Sequence, residues 1–75
     1  MKDLLTILAQ SLVDSPELVD VIEEQKEGIT VLRLKVGPDD MGKVIGKQGR
    51  IARAIRTLVK AAAIHEEKKV TVEII

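Results

Sequence analysis

Residues 41–55 read MGKVIGKQGRIARAI, and this stretch decides what the rest of the chain must be. An aliphatic pair, Val44-Ile45, precedes Gly46-Lys47-Gln48-Gly49, and Arg50-Ile51 opens a segment whose apolar residues recur at helical spacing. It reads as a helix, a two-glycine elbow and a second helix. Two glycines let the backbone enter conformations closed to other residues and let a ligand approach without meeting a Cβ. The second helix leaves its first amide N–H groups without intrahelical partners, at the positive end of its dipole. A phosphate suits that position.

Working toward the C-terminus, Arg50–His65 is the most informative segment. At about 100° per residue, Ile51, Ala54, Ile55, Leu58, Val59 and Ala62 share an arc of roughly 140°, and Arg50, Arg53, Arg56 and Lys60 a separate arc of roughly 120°. One side is expected to pack and the other to be positive. Ala61–Ala63 is read as helix propensity. Glu66-Glu67-Lys68-Lys69 is a polar connection, and Val70–Ile75 a final strand with Val70, Val72 and Ile74 on one face.

Toward the N-terminus, Gly37-Pro38-Asp39-Asp40 opens the short helix before the loop, with proline tolerated in a first turn and carboxylates matching the dipole. Ile29–Val36 alternates as a strand, with Leu32, Leu34 and Val36 on one face and Val31, Arg33 and Lys35 on the other. Lys26-Glu27-Gly28 is a turn, and Leu18–Gln25, rich in Val and Ile, is the preceding strand. Cross-strand ion pairs from Glu23, Glu24 and Glu27 to Arg33 and Lys35 are possible, beside the plainer reading of a solvated face. Met1–Val13 places Leu4, Leu5, Leu8 and Leu12 at helical spacing, and Asp14-Ser15-Pro16 stops that helix.

Seventy-five residues amount to one small domain that buries only roughly 60–65% of the surface its unfolded chain exposes, so self-association would help it. Without cysteine there is neither a disulfide framework nor a thiolate metal site, which fits a reducing compartment. The longest apolar run, Ala61–Ile64, is far short of the roughly 20 residues that span a bilayer. A cytoplasmic protein without membrane association is expected. Net charge is zero, yet Met41–Ile64 holds six basic residues and no acid, leaving the remainder at −6. That segregation focuses an anionic ligand on one face.

The order helix, strand, strand, helix, loop, helix, strand gives an α+β fold. The hairpin sets the first two strands antiparallel, and the helical crossover sets the second and third parallel and right-handed. A three-stranded mixed sheet with three helices on one face results. This order, with Gly46-Lys47-Gln48-Gly49 between Val44-Ile45 and Arg50-Ile51, resembles a type II KH domain and its GXXG loop, across the whole chain. Among such domains the chain is similar to the small bacterial RNA-binding proteins of the KhpA family.

The resemblance implies a single KH domain over residues 1–75, with the N-terminal helix and strand in 1–28 and the minimal core in 29–75. It implies that about four nucleotides of single-stranded RNA lie between the loop, its helices and the sheet edge. By position, Gly46, Lys47, Gln48 and Gly49 would hold the sugar-phosphate backbone through amides and the Lys47 ammonium, with Lys43, Arg50 and Arg53 extending the contact. Val44, Ile45, Ile51 and Ile55 would floor the base site, some also serving the core, and the strand around Val70–Val72 would read base edges. The family implies a larger KH-containing, KhpB-like partner, and RNA-chaperone or post-transcriptional work linked to cell shape and cell-wall growth. With no Phe, Tyr or Trp, aromatic stacking worth about 1–3 kcal/mol per base is missing. Weak single-domain binding and avidity through a homodimer or heteromer are therefore expected. A KH-fold interaction module that does not bind RNA is the alternative.

Other motifs fail. A P-loop needs four residues between its glycines and a hydroxyl after its lysine, whereas Gly42 and Gly46 have three residues between them and Gln48 follows Lys47. Asp39 and Asp40 lack a nearby third carboxylate for a metal, and His65, the only histidine, suits a helix end better than a general base. No nucleophile constellation is present, so neither an enzyme, nor a cofactor, nor a small-molecule substrate is expected.

Overall fold

Alternation in Ile29–Lys35 (β2) fixes the layers: Thr30, Leu32 and Leu34 are buried beneath helices, while Arg33 and Lys35 point to the opposite face. The computed structural model describes all residues 1–75. Asp20–Lys26 (β1) pairs antiparallel with β2, and Val70–Ile74 (β3) pairs parallel with it, so β2 is central. Lys2–Leu12 (α1), Met41–Ile45 (α2) and Arg50–His65 (α3) complete the order α-β-β-α-α-β. The expected α+β arrangement is the observed one.

One apolar cluster joins the helices to the sheet. Leu5 and Ala9 of α1, Val21, Leu32 and Leu34 of the sheet, Val44 of α2, and Ile55, Val59 and Ala63 of α3 all belong to it. Each fully buried aliphatic side chain in it, such as Leu5, Leu32 or Val59, contributes about 1.5–3 kcal/mol. The buried face of α3 is Ala52, Ile55, Val59 and Ala63, rotated away from the arc expected from the sequence. Leu58 is 54% exposed and Ala54 also faces solvent. Ala52 and Ala63 sit against the core instead, because apolar residues cover more of α3 than the sheet and α1 can shield.

Several junctions differ from expectation for local reasons. Leu18 does not begin the first strand; Pro16–Leu18 forms a 3-10 turn and β1 starts at Asp20. Asp40 does more than favour a helix start. Its buried carboxylate accepts hydrogen bonds from the Asp14 and Ser15 amides (3.2 and 3.0 Å), fastening the exit of α1 to the entry of α2. Of the cross-strand charges, Arg33 alone is paired, with Glu24 on β1 (2.6 Å) and with Glu73 on β3 (3.2 Å), the latter directly opposite in register. Both partners raise the Arg33 pKa, the Glu73 hydrogen bond most. Glu23, Glu27 and Lys35 make no ion pair.

Candidate nucleic-acid interface

The elbow between α2 and α3 is a tight turn placed beside an additional glycine. Gln48 (φ 58°, ψ 25°) and Gly49 (φ 73°, ψ 16°) are both left-handed, and the Arg50 amide donates to the Lys47 carbonyl. These are type I′ turn angles, with Gln48 and Gly49 at the centre. Gly46, at φ 73° and ψ 175°, lies where side chains are strongly disfavoured. A Cβ built there would stand 2.6 Å from Ile51 Cγ1. Gly49 needs only its angle, since a Cβ there would meet open space.

The loop does not offer all of its amides outward. Gly46 N–H donates to the Gly42 carbonyl (2.8 Å) and Gly49 N–H to the Gly46 carbonyl (3.2 Å). These two close the elbow, which corrects the expectation that both glycine amides hold phosphate. Lys47 and Gln48 at its tip are exposed.

The apolar floor is narrower than expected. Val44 is fully buried and Ile55 nearly so; both belong to the core and neither can support a base. Ile51 is half-buried against Gly46, and Ile45, 37% exposed, is the member of that set with a free surface. Val70 turns its side chain into the core, so it can face a ligand only through its backbone. Lys43 is not a free cation: its ammonium pairs with Asp14 and lies 3.7 Å from Asp40. The Asp14 hydrogen bond is the main reason its pKa is raised.

Arg50 and Arg53 lie on the outer side of α3, bordering a shallow depression with Thr57. A separate groove of roughly 440 Å³ runs between α3 and β3, and Arg56, Lys60, Lys68 and Lys69 line it. Arg56 and Lys60 belong to the positive arc of α3, and the sequence-based site stops at Arg53. Lys68 and Lys69 read in sequence as a linker, and only the turn that ends α3 brings them alongside Arg56 and Lys60. That turn has the hydrogen bonds of a Schellman motif, from Lys68 N–H to Ala63 O and from Glu67 N–H to Ile64 O, with Glu67 left-handed. Lys47, Arg50, Arg53, Arg56, Lys60, Lys68 and Lys69 are all exposed, and none forms an ion pair. No group of three His, Asp or Glu side chains is placed to hold a metal ion. No helix is long and apolar enough to cross a membrane.

A β1-β2-β3 sheet, antiparallel then parallel, whose crossover is helix, GXXG and helix, defines a type II KH domain. The pattern of the family described as KhpA/KhpB, KH domain, matches residues 2–74. The chain belongs to that family. It is 68% identical over its full length, and over the relative's full length, to the RNA-binding protein KhpA of Clostridium perfringens. It is 63% identical, again over all of both chains, to the RNA-binding protein KhpA of Clostridium acetobutylicum. Against the KhpA of Listeria monocytogenes serovar 1/2a identity is 47% over all of this chain and 99% of that one. Among solved structures, Aquifex aeolicus Era bound to GDP.AlF4- superposes on 97% of this chain with a TM-score of 0.65 and 14% identity. Era in complex with MgGDPNP and nucleotides 1506–1542 of 16S ribosomal RNA gives 0.58 and 15%, over the same share. This chain covers 28% of either Era chain, and the likeness is one of fold.

Proposed function

We propose that this protein binds short single-stranded RNA, with the elbow Gly46–Gly49 gripping the sugar-phosphate backbone and the α3–β3 groove receiving the bases. One observation carries the reading: seven exposed cations surround the elbow and groove without an ion pair, although the chain contains 12 acids. Unpaired cations beside an exposed turn are the groups a polyanionic strand would neutralise. The naming of close relatives as RNA-binding proteins supports the same conclusion. All of these groups lie within residues 29–75, which we take as the binding unit.

In this reading the protein is a non-catalytic cytoplasmic RNA chaperone or post-transcriptional regulator. It acts with a larger, KhpB-like KH protein or as a homodimer, in control of cell shape and wall growth. The apolar depression where Leu8 and Leu12 of α1 meet Ala54 and Leu58 of α3 offers a surface for self-association. Two elbows would then raise the avidity of weak single sites.

The test is the double substitution Lys47→Asp with Gln48→Asp, read by fluorescence anisotropy on a labelled single-stranded RNA. Binding is expected to fall by about 100-fold or more, from lost and reversed phosphate contacts, with the circular dichroism spectrum unchanged. Undiminished binding would remove the elbow from the interface. A protein-interaction module that ignores RNA would also purify free of nucleic acid. Because the chain lacks Trp and Tyr, nuclease-sensitive absorbance at about 260 nm reports bound RNA directly.

A further inference from the structure

The α3–β3 groove continues past the start of β3. Lys68, Lys69 and Val70 line it on one side and, on the other, line a second, polar pocket of roughly 310 Å³ at the hairpin end of the sheet. The two lysines thus form a ridge between the cavities. Its backbone is pinned at both residues, because Lys68 N–H donates to the Ala63 carbonyl and the Lys69 carbonyl accepts from Thr30 N–H. A strand that leaves the groove over this ridge, with its phosphates against the exposed ammonium groups, enters the second pocket.

The facing wall carries acceptors. Glu23 is opposite Leu32 and Gln25 opposite Thr30 in the hairpin, so both project from the helix side of the sheet, where Leu32 and Thr30 are buried. Glu23 is exposed and makes no ion pair, with these lysines or with any other cation. Gln25 Nε2 donates to the Thr30 hydroxyl (2.9 Å), which fixes the amide and leaves its Oε1 as an acceptor. One wall therefore donates and the other accepts. A bare anion suits only the lysine side, and a cation only the Glu23 side. A ribonucleotide satisfies both, with its phosphate on the lysines and its 2′-hydroxyl donating to the Glu23 carboxylate. A deoxynucleotide keeps the phosphate contact and leaves the carboxylate without a donor.

We propose that this hairpin-end pocket holds the nucleotide next to those in the groove, and that Glu23 is the residue through which it prefers RNA to single-stranded DNA. The proposal rests on the RNA-binding reading above and adds a site to it. Since a carboxylate repels phosphate, Glu23 also orients the nucleotide, sugar toward the acid and phosphate toward the ridge. Glu27, in the turn of the same hairpin, carries the same charge outside the pocket lining.

Fluorescence anisotropy on the full chain compares the labelled RNA octamer UUUUUUUU with its 2′-deoxy counterpart of the same bases, so that every binding register is equivalent. The quantity read is the ratio of the two affinities. Wild type is expected to prefer the RNA, and Glu23→Ala to lower the ratio by about fivefold, the effect of one net hydrogen bond. Glu27→Ala removes the same charge outside the pocket and should leave the ratio as in wild type, because a general gain in affinity from a lost acid applies to both octamers alike. No RNA preference in wild type, an unchanged ratio in Glu23→Ala, or an equal fall in Glu27→Ala overturns the proposal and leaves RNA binding standing. Failure of wild type to bind either octamer overturns both.

Discussion

Two turns in this molecule have nearly the same backbone and differently charged flanks. The hairpin turn places Glu27 at φ 53° and Gly28 at φ 78°; the elbow places Gln48 at φ 58° and Gly49 at φ 73°. Both are residue-then-glycine turns with positive φ at the two central positions. Around the hairpin stand Glu23, Glu24 and Glu27 together with Lys26, Lys68 and Lys69, and Arg33 on the sheet is neutralised by Glu24 and Glu73. Around the elbow stand Lys47, Arg50 and Arg53 with no acid between Met41 and Ile64. A tight turn alone therefore does not make a phosphate site. The absence of acids from the flanking segments and the extra glycine, Gly46, separate the two.

The largest expected effect tests that extra glycine. Gly46→Ala should cost about 3 kcal/mol, from a strained backbone conformation and from crowding Ile51. Gly28→Ala, where a Cβ meets nothing within 4 Å, should cost about 1 kcal/mol for its positive φ alone. Urea unfolding followed by circular dichroism measures both. Equal costs would mean that Ile51 does not hold the elbow.

Next in size is the charge difference. With roughly three phosphate contacts on a single strand, the logarithm of the affinity should fall with the logarithm of salt at a slope of about −2. Lys47→Gln should reduce the magnitude of that slope by about 0.7, while Lys26→Gln beside the hairpin should leave it alone. A hairpin substitution that moved the slope would place RNA on the sheet side.

A smaller effect probes what the turns share. Neither Glu27 nor Gln48 is suited to left-handed angles, and asparagine tolerates them better. Glu27→Asn and Gln48→Asn should each raise stability by about 0.5 kcal/mol. Only the second should alter RNA affinity. Thermal unfolding and anisotropy on the same samples decide both points.

Periodicity and glycine spacing made the element order legible, because strand alternation at Leu32 and Leu34 and helical spacing in Arg50–His65 report burial directly. The buried face of α3 was less so. Ala52 and Ala63 carry too little hydrophobic signal to outweigh Leu58, and their burial follows from how closely α3 approaches the sheet. Of the site, the elbow was visible and the groove was not. Glu67 supplies the left-handed position at the end of α3 where glycine would have announced a helix stop, so the placement of Lys68 and Lys69 had no local marker. Lys43 looked like one more cation of the basic run, since Asp14 and Asp40 reach it only through the fold.

Lys43 is the case where the contrast between the two sides is sharpest, because it lies among the free cations in sequence and behaves like Arg33 in space. Its ammonium is already matched by Asp14, so Lys43→Met should leave the salt slope of RNA binding unchanged, unlike Lys47→Gln. Its effect should appear in stability instead, and with a defined pH dependence. The Asp14 hydrogen bond, and the charges of Asp14 and Asp40, raise the folded pKa above the ordinary lysine value of 10.5. A group raised on folding stabilises fully below its unfolded pKa and loses that contribution as pH climbs through the folded value. Wild type should therefore exceed Lys43→Met in urea midpoint at neutral pH, by a small margin given the exposure of the pair. The margin should close only above pH 10.5. A margin that is flat across the alkaline range would assign it to the lysine stem packing rather than to the ion pair. A reduced salt slope in Lys43→Met would return this residue to the RNA-facing set.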